Sequence, residues 1–288
     1  MEKECKMNHP KILYLLLVSF VFAYYNVACA QNTYTWTMKT LQIKNSLPGE
    51  IPTEKLLAGT QYETLLYIFQ GEKPGPAVLI LGGTHGNEPA GYEAAFRLID
   101  RFRNNFIKSG KVLIIPEANI QAIKHYQRRI PVPDGVDREL GNLNRCYPGR
   151  LDGTPMEKLA KIILDRARAE AVVAFIDMHE SPVFHLETMK ADEDGGLGQS
   201  IVFYPTEESS YLAMIAVGEL NEIVPGDPVT FSMLERPIKR SAAWAAGEYL
   251  DQIVAFTVET CKKLPLEERI QYHVKTVEIV LREKGMLE

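Results

Sequence analysis

The sequence predicts one α/β domain, with a mixed, mostly parallel central sheet covered by helices on both faces. Three observations carry that expectation. Short runs such as Ala77-Val-Leu-Ile-Leu81 and Val112-Leu-Ile-Ile115 are apolar throughout, as strands buried on both sides are. Amphipathic stretches of helical period lie between those runs, the alternation from which layered α/β folds are built. The 288 residues are 46% hydrophobic and 24% charged, ordinary globular composition for a single large domain. No internal repeat or break in composition asks for a second one.

The N-terminus reads as a leader rather than as fold. Lys3, Lys6 and Lys11 precede an apolar run from Ile12 to Phe22, and Ala28-Cys29-Ala30 stands before Gln31. A basic start, a short apolar core and a small-x-small exit describe a secretory signal peptide over residues 1–30. The run is short for a bilayer span of about 20 residues. Lipid anchoring at Cys29 is the alternative, against which Asn26 occupies a place where a lipoprotein signal usually has an aliphatic residue. The expected product, 31–288, is exported to a periplasm or the extracellular space, with no stable membrane association once the leader is cut. It keeps two cysteines, Cys146 and Cys261, too few for a disulfide scaffold or a cysteine-rich zinc site. Any metal must then be held by histidine and carboxylate. A formal charge of -5 lacks the basic footprint of a nucleic-acid binder.

Residues 31–75 alternate as strands do, over Thr35 to Ile43 and Glu63 to Phe69, with bends at Pro48-Gly49 and Pro52. The core, 76–260, opens on the buried strand that ends at Leu81. Glu88 to Phe106 then carries Ala95, Leu98, Ile99 and Phe102 at helical spacing. Lys111 to Pro116 is a strand, and Met156 to Ala169 a helix with Leu159, Ile162, Ile163 and Ala167 on one face. Val172 to Ile176 is a strand that finishes in Asp177-Met-His179, and the glycine-rich stretch Asp192 to Gly198 a surface loop. Helix is expected again over Leu212 to Ile223, with Trp244 in the core on a small-residue helix. Ile253 to Val258 is the last strand, and 264–288 hold a closing helix over Leu266 to Arg282.

Ligands of such sheets bind at the carboxyl ends of the strands, and there this sequence places its chemistry. The first buried strand runs into LGGTHGNEPAG (81–91), with His85 and Glu88; another ends in His179; the last ends in Glu259. Two histidines, one carboxylate and an open fourth position are what a catalytic zinc site needs. His85-x-x-Glu88 offers two ligands from one tight turn, which Gly82, Gly83 and Gly86 allow without a Cβ penalty, and His179 brings the third from a separate strand. Each piece alone is weak. H-x-x-E arises by chance, His179 alone reads as a hydrogen-bonded core histidine, and Glu259 could cap a segment or pair with Lys262. Their joint placement at strand ends lifts them. His125, His185 and His273 have no motif partner and read as structural or solvated.

The segments GGTHGNEPAG, NLNRCYPG, FIDMHES and FTVET, in that order between Val78 and Glu259, resemble the succinylglutamate desuccinylase/aspartoacylase family, a branch of the carboxypeptidase A-like zinc hydrolases. The resemblance implies a zinc carboxypeptidase-like fold and one zinc ion on His85, Glu88 and His179. It implies that Glu259 is the general base, and that Asn144 and Arg145 grip a substrate carboxylate. Arg128 matches the arginine that polarises the scissile carbonyl, with Arg129 as the alternative register. The chemistry supports such roles: a carboxylate relays the water proton to the leaving nitrogen, an arginine stabilises the oxyanion, and a guanidinium fork suits a carboxylate.

Two departures stand out. The family begins its N-R motif with an aspartate that orients a zinc-bound histidine. Here Asn142 takes that place, able to accept a hydrogen bond but uncharged. Asp177, on the same strand face as His179, could supply part of the missing charge. Pro131 to Gly141 forms an insertion before the motif, absent from the compact family form.

The function implied is a secreted zinc-dependent hydrolase that cleaves an amide next to a carboxylate. Its substrate is a peptide with a free C-terminus or a small N-acyl amino acid, and an ester fits the same site. A non-catalytic zinc-stabilised carboxylate binder is the other class of reading, but such a protein has no use for Glu259 and Arg128. Glu180 is the alternative base. Arg236, Arg240 and Tyr249 are candidates for side-chain specificity. Cys146 follows Arg145, and Cys261 lies two residues after Glu259. If both line one site, an oxidising compartment permits a bridge; otherwise they are two buried thiols.

Overall fold

Among the described residues eight strands hydrogen-bond into one sheet in the order β1-β2-β4-β3-β5-β8-β6-β7. They are β1 Thr53–Leu56, β2 Thr64–Gln70, β3 Lys73–Leu81, β4 Ser109–Ile115, β5 Val172–Ser181, β6 Ser200–Phe203, β7 Ser232–Leu234 and β8 Val254–Cys261. The four central strands β4, β3, β5 and β8 run parallel. β2 joins β4, and β1 joins β2, antiparallel; β6 is antiparallel to β8 and parallel to β7. The computed structural model describes residues 51–104, 107–191, 195–235 and 237–288, all within the compact unit Gly49–Glu288. The leader, the strand expected over 35–43 and Arg236 lie outside the described residues, as do 192–194 of the glycine-rich loop.

The apolar runs become central strands because both of their faces are covered. Leu79, Leu81, Leu113, Phe175 and Ala255 pack with helices α3 (Pro155–Ala169) and α6 (Ala242–Tyr249) in one cluster of buried side chains. The alternate positions Val78, Ile80, Val112, Ile114, Ala174, Ile176 and Phe256 are also fully buried and point to the opposite face, since strand side chains alternate. There α1 (Pro89–Asn104) and α7 (Leu266–Glu283) pack on each other and on β5, and α5 (Glu207–Asn221) packs on α7 and β8. The short α2 (Ile120–Lys124) and α4 (His185–Ala191) are the remaining α-helices among the described residues. Helix starts follow local chemistry. Thr154 and Glu157 form a reciprocal capping box ahead of α3, with Pro155 in its first turn, and Ser241 caps α6.

Several expectations are corrected. β5 continues as strand to Ser181, because Asp177 to Ser181 stay in register with Thr257 to Cys261 of β8. α5 begins five residues before Leu212, its polar first turn capped by Thr206. Trp244 is only partly buried, edge-on to Tyr249 with ring centroids 5.8 Å apart. Cys146 and Cys261 are both free and buried. The Cys146 thiol donates to the carbonyls of Leu140 and Asn142, whereas Cys261 backs onto Gly198, so they are separate small hydrophobes and not a bridge. Among the described residues no helix is long and apolar enough to cross a membrane.

Candidate metal centre and active site

The three predicted ligands are carried by elements that the sheet places side by side, since β5 lies between β3 and β8. After β3 the chain turns at Gly83, whose φ of +69° favours glycine. It then presses Gly86 so closely on α2 that an added Cβ would stand 2.0 Å from the Ala122 carbonyl carbon. This turn delivers His85 and Glu88. His85 Nδ1 lies 2.9 Å from Glu88 Oε1, and His179 Nδ1 lies 2.9 Å from Glu88 Oε2 and 3.1 Å from His85 Nδ1. All three side chains are buried and form the one candidate metal cluster among the described residues.

The far nitrogens decide which atoms face inward. His85 Nε2 is 2.9 Å from Asn142 Oδ1, and that oxygen also accepts the Asn144 N–H at 3.1 Å. His179 Nε2 is 2.7 Å from Asp177 Oδ2, while Asp177 Oδ1 accepts from Thr84 Oγ1 at 2.8 Å. An acceptor at each Nε2 fixes the ring proton there and leaves each Nδ1 as a lone pair. Two lone pairs and a carboxylate gathered at about 3 Å repel one another unless a positive charge sits among them, either a metal ion or the proton that Asp177 and Glu88 favour on His179. The donor set is that of a divalent metal of zinc type, with the outer partners that such histidines require.

The electrostatics point the same way. Burial pulls the His85 pKa down. Burial also opposes charge on His179, yet Asp177 and Glu88 raise its pKa well above the usual value, which makes it the more basic donor. Glu88 is held well below the carboxylate range against its burial, chiefly by the two histidines. Asp177 thus furnishes a charge behind His179, while His85 has only the neutral Asn142 at its back.

Glu259 pairs in register with His179 across β5 and β8 and so shares its face of the sheet. It is buried, and among the described residues no hydrogen-bond donor reaches its carboxylate. Burial pushes its pKa up to about 7, with His179 and Arg128 pulling down and Glu88 pushing up. A carboxylate so poised suits proton transfer near neutral pH. Glu180, the alternative base, points to the other face. There Arg269 and the Ala90 N–H hold its carboxylate, while its own N–H donates to Glu88 Oε2 at 3.1 Å. It braces a ligand and is not free to move protons.

The two arginine registers separate cleanly. Arg128 Nη1 donates to Glu88 Oε1 at 2.8 Å, with its side chain 44% exposed toward the opening, whereas Arg129 turns away to Glu139. Arg145 is partly buried, with Nη1 2.6 Å from the Asn144 carbonyl. Burial lowers its pKa, and the neighbouring Arg128 and Arg240 lower it further, so the opening is cationic. Asn144 is more constrained than its expected role suggested. Its Oδ1 accepts the Ala242 N–H at 2.9 Å, and its Nδ2 stands 3.5 Å from His179 Nε2, leaving only the amide nitrogen to offer a ligand. Arg240 sits in the turn before α6 with φ +68°, and Tyr249 at the far end of that helix. Sequence reasoning missed two participants. Thr84 lies inside the quoted motif but carries no chemistry that marks it, and Glu139 lies in the segment Pro131 to Gly141, which holds no motif at all.

Comparison with known proteins fits this geometry. The Succinylglutamate desuccinylase/Aspartoacylase catalytic domain matches residues 74–190, a span that holds His85, Glu88, Arg128, Asn142, Asn144, Arg145 and His179 and ends before Glu259. The N-alpha-acetyl-L-2,4-diaminobutyric acid deacetylase of Halomonas elongata is 41% identical over 86 residues, 30% of this chain and 23% of that protein. Among solved structures, product-bound Cell Shape Determinant protein Csd4 from Helicobacter pylori aligns with a TM-score of 0.62 at 16% identity, covering 77% of this chain and 55% of that one. A succinylglutamate desuccinylase/aspartoacylase from Rhodobacter sphaeroides aligns with a TM-score of 0.57 at 20% identity, covering 83% and 66%. The match thus spans about a quarter of the curated relative and about half of Csd4. In the sequence of residues 74–190 and in the fold around them, the protein resembles the succinylglutamate desuccinylase/aspartoacylase family.

Proposed function

We propose that this protein is an exported zinc hydrolase that cleaves the amide bond next to a free carboxylate, releasing the C-terminal residue of a peptide. The observation that carries the reading is the convergence of His85 Nδ1, His179 Nδ1 and the Glu88 carboxylate on one buried point, beside a carboxylate with no protein partner among the described residues. Zinc held there would supply an acidified water and a Lewis acid for the scissile carbonyl.

The chain's own groups do the rest. Glu259, with its pKa near 7, takes the water proton and returns it to the leaving nitrogen. Arg128 stands at the rim of the ligand cluster, where its charge stabilises the developing oxyanion. Arg145 presents a planar fork to the substrate carboxylate, and the Asn144 amide nitrogen can add a second contact. Arg240 reinforces the positive field at the opening. A substrate with one or more carboxylates is drawn in by that field.

Export rests on the leader-like residues 1–30, and an exported hydrolase meets peptides, including those of cell walls. Csd4, described as a D,L-carboxypeptidase and solved with a tripeptide, supports the same choice through likeness of fold. A second reading, hydrolysis of N-acyl amino acids, draws on the 86-residue likeness to the deacetylase. One experiment addresses both: metal analysis of the purified protein, joined to a screen of peptides with free C-termini against N-acyl amino acids. The proposal expects one zinc per chain and C-terminal residues released from peptides. Turnover of N-acyl amino acids alone would establish the second reading, and a protein with neither zinc nor hydrolysis would overturn both.

A further inference from the structure

Asn142 stands where the resemblance leads one to expect an aspartate, and an amide has two unlike ends. Its Oδ1 accepts hydrogen bonds and its Nδ2 donates them. Only with Oδ1 toward His85 is the ring proton held at Nε2 and the Nδ1 lone pair left free. The reversed amide would offer N–H to Nε2, drive the proton to Nδ1 and spoil the ligand. Something must hold the amide one way round.

Two groups do so, one at each end: the Asn144 N–H, which donates to Oδ1 at 3.1 Å, and Glu139, which takes the Nδ2 end. Asn142 Nδ2 donates to Glu139 Oε2 at 3.1 Å, while Oδ1 receives His85 Nε2–H at 2.9 Å. An ionised carboxylate only accepts, so reversing the amide would set oxygen against oxygen. Glu139 is itself fixed on three sides. Arg129 donates to Oε1, the Glu139 N–H donates to Asp137 Oδ1 at 3.0 Å, and the Glu139 carbonyl accepts the Asn142 N–H at 3.0 Å. Asp137 and Glu139 both belong to Pro131 to Gly141, which gives that segment a purpose.

We infer that Glu139 is a positioning residue for the metal ligand His85, returning through the Asn142 amide the carboxylate that the motif here lacks. The inference rests on the reading of His85, Glu88 and His179 as a zinc site.

The test is the zinc affinity of the full protein, measured by competition with a chromogenic chelator, in two backgrounds. Glu139→Ala should weaken zinc binding several-fold, up to about 10-fold, below the ~10- to 100-fold loss of a ligand's direct outer partner, because the Asn144 N–H still holds Oδ1. In an Asn142→Asp background a carboxylate faces His85 directly and Glu139 becomes its like-charged neighbour. There Glu139→Ala should leave affinity unchanged or tighten it. Losses of equal size in both backgrounds would mean that Glu139 merely anchors its loop, and would overturn the inference. So would unaltered affinity in the single variant. A parent protein that binds no zinc would overturn the site reading itself, an outcome distinct from either of these.

Discussion

At Glu259 burial and a neighbouring carboxylate push proton affinity up while His179 and Arg128 pull it down, and the balance falls at about pH 7. The base must be ionised to work, so kcat/KM should rise with pH. A bound cation lowers that pKa further, so the acid limb should have its midpoint between about 4.5 and 7. A rate that falls across that window as pH rises would contradict the assignment. Glu259→Gln keeps the size of the side chain and removes the base. Zinc content should stay at one per chain while turnover drops at least ~100-fold, and near-normal turnover would place the base elsewhere. Cys146 and Cys261 should both titrate as free thiols in denatured, unreduced protein; a bridge would leave neither titratable. At this scale the sequence displays residue types and spacings well. Asp177 could be placed behind His179 because strand side chains alternate. Asn144's tie to Ala242 and Glu139's hold on Asn142 depend on where loops 98 and 3 residues apart come to rest, which no spacing rule reveals.

Among the elements, the β3-to-α1 turn and α7 allow direct tests. A Cβ at Gly86 collides with the backbone of α2, so Gly86→Ala must displace either that helix or the turn that bears His85 and Glu88. Overpacking of this kind costs about 1–3 kcal/mol, a fall in Tm of roughly 5 °C, and zinc affinity should weaken with it. An unchanged Tm and affinity would show that the turn has slack. On α7, His273 is fully buried and shares a hydrogen bond with Thr260 of β8. Burial, aided by the charges of His179 and Arg269, holds its pKa down to about 3. Unfolded, its pKa is about 6.5. Above that pH both states are neutral and nothing is lost. Below it only the unfolded chain takes the proton, so stability falls progressively as pH drops from about 6.5 toward 3. Replacing His273 by Gln should flatten that decline by up to one proton in a pH series of chemical unfolding, and an unaltered slope would contradict it. The long elements were legible because apolar period and length agree, as in α1, α3 and α7. β6 and β7 were not placed, since strands of four and three residues give little periodic signal, whereas α6 was legible only by its small residues around Trp244.

Over the whole described unit, the decisive fact is the parity of one sheet. Phe175, Asp177 and His179, with Ala255 and Glu259, share the face on which α3 and α6 pack, and the loop from Asn142 to Arg145 closes over its carboxyl end. Glu180, one residue away, is thereby consigned to the α1 and α7 side. The sequence announces buried strands and their polar ends, but not that β5 lies between β3 and β8. Strand order is set by long-range packing and loop closure, and it makes neighbours of residues 85, 179 and 259. At the same scale, the proposed export predicts a mature N-terminus at Gln31, read by N-terminal sequencing of secreted protein; an intact Met1 on exported protein would count against cleavage.

The central claim is that one zinc ion is held by His85, Glu88 and His179 through the inward nitrogens of both rings. Anomalous diffraction at the zinc absorption edge, on crystals of the purified protein, tests it most directly. The account predicts a single strong peak about 2.0–2.2 Å from His85 Nδ1, His179 Nδ1 and a Glu88 oxygen. A peak elsewhere, none at all, or coordination through either Nε2 would contradict it.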